Sequence, residues 1–68
     1  MAVVATRSGC KVGWSTYDDR AEAEAAANDA AERGARMTAD GYDFGFQSPG
    51  DIRETTHGGA PAWEVTTP

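Results

Sequence analysis

Between Asp19 and Gly41 the chain carries a stripe of small residues at helical spacing, and no other feature limits the fold as strongly. Ala23, Ala27, Ala30, Gly34, Met37 and Gly41 succeed one another in alternating steps of four and three, which lines one face of an α-helix. Asp19-Arg-Ala-Glu22 supplies an N-cap acid with a second carboxylate three residues on, a variant of the capping box. Asp18, Asp19, Glu22 and Glu24 crowd the positive end of the helix dipole, and Arg33 and Arg36 sit near the negative end. Gly34 taken alone is a C-cap, which would leave Ala35–Ala39 as a short strand. The unbroken stripe favours a helix over residues 19–39, with Gly34 on its buried face and Gly41 as its stop. A glycine inside a helix costs about 1 kcal/mol against alanine, so a sheet or second helix is expected to approach closely there.

Strands are expected on both sides of this helix. Ala2–Thr6 and Lys11–Tyr17 flank the polar turn Arg7-Ser-Gly-Cys10. Val12, Trp14 and Thr16 then point one way, and Gly13, Ser15 and Tyr17 the other. After the helix, Tyr42–Gln47 alternates with Tyr42, Phe44 and Phe46 on one face. Ser48-Pro-Gly-Asp51 has the residues of a type II turn. Ile52–Thr56 returns, His57-Gly-Gly59 turns again, and Ala62–Thr67 ends the chain with Trp63 and Val65 on one face. The expected fold is a single α+β domain over residues 1–68, in two layers, with one long helix on an antiparallel sheet in the order ββαβββ. The register around Pro49-Gly50 stays open. A two-residue turn pairs Phe46 with Arg53, whereas a five-residue loop pairs Phe46 with Ile52 and keeps the apolar set together.

A chain of 68 residues buries a modest core, and chains this small are usually reinforced by disulfides, a metal, close packing or self-association. Cys10 is the single cysteine, so an intrachain disulfide is excluded. Cys10 and His57 are the only soft metal ligands, and neither lies in a Cys-x-x-Cys or His-x-x-x-His pattern. No metal and no cofactor are therefore expected. The net charge of −5 argues against nucleic acid as a partner, because phosphate recognition needs a basic face. No basic amphipathic stripe suits an anionic membrane. The opening Met1–Arg7 is too short and lacks the basic region of a secretory leader, and no stretch approaches the length of a membrane span. A cytoplasmic location is expected. Ala, Gly, Arg and Pro are abundant while Lys, Asn and Ile occur once each, as GC-rich codon usage favours, which points to a GC-rich bacterium or its phage.

Residues able to carry chemistry are few and scattered. His57 lies in a turn beside Gly58-Gly59, with no nucleophile or orienting partner implied by spacing. Cys10 sits near Lys11 and Arg7, where a reactive thiol would be looked for, yet reads first as a loop cysteine. Asp40 and Asp43 flank Gly41 like a fragment of a calcium loop, lack its further ligands, and are read as helix-exit punctuation. No phosphate-cradling glycine pattern occurs. The aromatics Trp14, Trp63, Tyr42, Phe44 and Phe46 read mainly as core. Trp63, expected on a terminal and possible edge strand, together with Trp14 and Tyr42, forms the candidate set for partner or self-association contact.

Three stretches carry a resemblance: Tyr17-Asp-Asp-Arg-Ala-Glu-Ala-Glu-Ala-Ala-Ala27, Gly41-Tyr-Asp-Phe-Gly-Phe46 and Pro61-Ala-Trp-Glu-Val65. In these the chain resembles the small uncharacterised accessory proteins of actinobacterial tailed phages. The resemblance implies a short non-enzymatic protein that binds a host or phage macromolecule, and it assigns no functional residues. The expectation is a protein-interaction module that self-associates, most simply as a homodimer, and binds a host or phage protein in the bacterial cytosol. The alternative is an acidic nucleic-acid mimic that inhibits a host DNA- or RNA-binding protein. A small enzyme built on Cys10 and His57 is the third class.

Overall fold

In the computed structural model, which describes residues 3–68, helix α1 spans Arg20–Ala39. Asp19 caps it in an extended conformation, and its carboxylate accepts the Ala21 amide at 3.1 Å. At the other end Gly41 turns the backbone to φ +100°. The Gly41 amide donates to the Thr38 carbonyl and the Tyr42 amide to that of Met37. Those two bonds are the Schellman pattern, so the last carbonyls of the helix are satisfied locally. Ala23, Ala27, Ala30 and Gly34 are buried along one face, as the stripe predicts, while Met37 is half-buried.

The sheet has four antiparallel strands in the order β1-β2-β4-β3: β1 Val3–Ser8, β2 Gly13–Tyr17, β3 Ile52–His57 and β4 Ala60–Thr67. The expected first strand is displaced toward the turn, and Ala2, with Met1, lies outside the described residues. Val65, fully buried, and Tyr17 meet the alanine face of α1 in the core. Val3, Ala26 and Trp63 pack around them, half-buried. The helix thus contributes small side chains and the sheet large ones, which brings the two layers close together.

Only the β3–β4 hairpin has a two-residue loop. Gly58 and Gly59 stand at φ +60° and +81°, the two positive values of a type I′ turn, whose twist suits paired strands. Pro61, on β4, lies opposite Thr56 beyond the last residue paired with β2. A missing amide there breaks no ladder bond on the β2 side.

The third expected strand is absent, and the order is ββαββ. Residues 41–51 form a loop. Local bonds outcompete the alternation of Tyr42, Phe44 and Phe46. The Asp43 carboxylate accepts the Gly45 amide at 2.8 Å, the Phe44 carbonyl accepts the Gln47 amide at 3.2 Å, and Gly45 adopts φ +66°. An Asx turn of this kind diverts the backbone from a ladder. The Pro49-Gly50 turn does form, with Gly50 at φ +98° and the Asp51 amide donating to the Ser48 carbonyl at 3.0 Å. It joins no pair of strands, so both alternatives for the hairpin register fall away. The turn packs on the helix instead. A Cβ on Gly34 would lie 2.7 Å from Pro49 Cβ, and one on Gly50 would lie 2.6 Å from Ala31 Cβ. The close neighbour that the buried glycine calls for is therefore this turn, neither a strand nor a second helix. The Gly50 amide donates to the Thr66 carbonyl and the Thr66 amide to that of Asp51, which ties the same turn to β4.

Candidate interaction surface

Strand register assigns the side chains to two faces. Val3, Ser15, Tyr17, Trp63 and Val65 belong to the face that meets the helix. Arg7, Trp14, Thr16, Glu64, Thr66 and Arg53 belong to the other, which no helix covers. Across that open face the Glu64 carboxylate accepts from Arg7 on β1 at 3.2 Å and from Arg53 on β3 at 2.9 Å. Its side chain is only 12% exposed. One carboxylate on an inner strand thus ties both outer strands to the centre. The Arg7 guanidinium also lies 3.9 Å from the centre of the Trp14 ring, a cation–π contact. Beneath the ring there is space only for glycine, since a Cβ on Gly9 would come within 2.9 Å of it.

Next to Trp14, at the end of the sheet where β1 turns into β2, the loop after the helix builds a second feature. Phe44 is buried there, and Tyr42 packs beside it with ring centroids 4.6 Å apart and the ring planes tilted by 53°. The Tyr42 hydroxyl donates to the Lys11 carbonyl at 3.4 Å, and Lys11 Nζ reaches Asp43 at 3.9 Å. Cys10, Val12, Trp14, Phe44 and Phe46 wall an apolar notch of about 320 Å³ with Lys11 on its margin. Phe46 itself is entirely exposed, at 105% of its reference surface. An aromatic ring held wholly in water beside an apolar depression is the most anomalous placement among the described residues, because burying such a ring removes roughly 150–250 Å² from water.

The candidate residues fare differently. Trp14 lies on this surface, and Tyr42, 41% exposed, borders it. Trp63 is elsewhere. It stands on β4, an inner strand rather than an edge, half-buried against the core, and its buried indole Nε1 has no hydrogen-bond partner among the described residues. Phe46 was hidden from sequence reasoning by its assignment to a strand core. The signal available was its setting, between Gly45 and the turn-forming Gln47-Ser48-Pro49-Gly50.

Cys10 and His57 are both exposed and sit at opposite ends of the sheet. The β1–β2 turn lies at the Gly13/Thr67 end and the β3–β4 turn closes at His57/Ala60. Seven strand steps, about 23 Å at 3.3 Å each, separate Thr67 from Ala60, so the fold does not bring thiol and imidazole together. Asp40 and Asp43 serve as the helix C-cap and the Asx turn. Among the described residues no helix is long and apolar enough to cross a membrane. Comparison with protein-family models, with curated proteins and with solved structures finds no match.

Proposed function

We propose that this chain is a non-enzymatic protein-interaction module, an accessory protein of the kind its sequence resemblance implies, acting in the cytosol of a bacterium or phage-infected bacterium. Its binding surface centres on Trp14 and Phe46. The observation that carries this reading is the fully exposed Phe46 beside an apolar notch at the β1–β2 turn end of the sheet. Aromatic and arginine side chains dominate binding energy at protein interfaces, and Trp14 joins the notch at Phe46 to a second depression lined by Arg7 and Arg53.

Both sheet edges are poorer binding elements. The β1–β2 register shifts between Val3 and Ala5, and β3 presents Arg53 and Glu54 on its edge. Bulges and charges are the usual means of blunting edge pairing. The charge arrangement disfavours the nucleic-acid mimic. Such a mimic needs an unbroken row of carboxylates, yet on α1 Glu24 and Asp29 are each bonded to an arginine one turn away, Arg20 and Arg33. The test is affinity capture from a bacterial lysate with wild-type protein and with Phe46→Ala as bait. A protein retained by the wild type and lost by the variant, with unchanged circular dichroism, supports the reading. Equal capture by both removes Phe46 from the function.

A further inference from the structure

We infer that the notch and the Phe46 ring are the two halves of one contact, and that their occupant is a second copy of this chain. The inference rests on the interaction-module reading and names the partner of that same surface. The projecting ring is itself one wall of a cavity of about 320 Å³, and such a feature can meet its own copy under two-fold rotation: each Phe46 packs against Val12, Trp14 and Phe44 of the other, the isologous arrangement of most homodimers. The charges agree. Lys11 borders the notch and Asp43 stands beside Tyr42 and Phe44 on the same loop, so the exposed pair Lys11–Asp43 offers each copy one cation and one anion for exchange with its mate. The intramolecular contact is long, at 3.9 Å, between side chains 48% and 84% exposed, and it uses the Asp43 oxygen that does not accept the Gly45 amide, so the pair can be exchanged without undoing the Asx turn. Two inserted phenylalanines and their rims make a small interface, and small interfaces give weak, reversible dimers.

The experiment is sedimentation equilibrium across about 10 µM to 1 mM, the range in which so small an interface associates. Wild type should pass from monomer to dimer, and Phe46→Asp should stay monomeric with unchanged circular dichroism, since a wholly exposed ring holds nothing in the monomer. Lys11→Glu should weaken association by about tenfold, because symmetry repeats the altered pair. Asp43→Asn removes the anion but keeps an acceptor for the Gly45 amide, and should weaken association less than Lys11→Glu does. A wild type that remains monomeric throughout, a dimer indifferent to Phe46→Asp, or a dimer indifferent to Lys11→Glu overturns the inference. If wild type is monomeric while Phe46→Ala still loses a captured partner, the self-pairing falls and the module reading stands; if Phe46 affects neither measurement, both fall.

Discussion

Gly34 occupies a helical position where alanine is intrinsically better by about 1 kcal/mol, yet the Pro49 ring leaves no space for a methyl group. The two effects oppose each other, and their sizes decide the outcome. Overpacking against a ring that is itself tied to β4 costs about 1–3 kcal/mol, so Gly34→Ala should lower stability by about 1 kcal/mol net. At the size of this domain that is a fall in Tm of roughly 4–8 °C. Combining it with Pro49→Gly should be strongly non-additive, because the second change removes the atoms that collide. Thermal unfolding of the two singles and the double measures this, and a Tm raised by Gly34→Ala alone would show that the turn yields easily. Gly58 is the contrasting glycine. It has positive φ, but a Cβ at that position would meet nothing within 4 Å, and asparagine tolerates that conformation. Gly58→Asn should therefore be neutral or stabilise by up to about 1 kcal/mol, through a less flexible unfolded chain. A marked loss of stability in chemical denaturation would count against a type I′ turn.

At the scale of elements, what was legible in the sequence was what is decided locally. Helix α1 could be read to within a residue because Asp19, the alanine stripe and Gly41 each act within a turn of their own position. The glycine pair after His57 announced its hairpin for the same reason. The loop 41–51 defeated the reading twice. Alternating Tyr42, Phe44 and Phe46 satisfies the pattern of a strand, but Asp43 and Gly45 satisfy that of an Asx turn, and the bond from the Gly45 amide decided between them. Ser48-Pro-Gly-Asp51 revealed its turn type and concealed its destination, since docking on Ala31 and Gly34 is a long-range event. The interaction surface was legible in half. Trp14 and Tyr42 could be named as aromatics, whereas the exposure of Phe46 follows only once its strand is gone. Trp63, read as a possible edge residue, proved to be central because β4 inserts between β2 and β3, an order that no local signal encodes.

The molecule as a whole is held laterally by Glu64 and vertically by α1. Glu64→Gln keeps the size of the side chain but deprives two arginines of one shared anion. Exposed ion pairs contribute little individually, but this carboxylate is mostly shielded and used twice. The expected loss is about 1 kcal/mol, read from urea denaturation, and it should shrink in high salt; a variant as stable as wild type would show that the arginines find other partners. The vertical contact has a different character. In most cores the damaging accident is a large side chain becoming smaller, which opens a cavity. Here the helix presents Ala23, Ala27 and Ala30, at 0%, 7% and 0% exposure, to Tyr17 and Val65, and alanine has almost nothing to lose. Drift at these positions runs against a wall in one direction only: serine or glycine can enter, while every bulkier residue must lift the helix off the sheet. A lineage of such proteins would keep its helix inventory monotonous and do its diversifying on the other side of the sheet and in the loop around Phe46, where novelty costs the fold least.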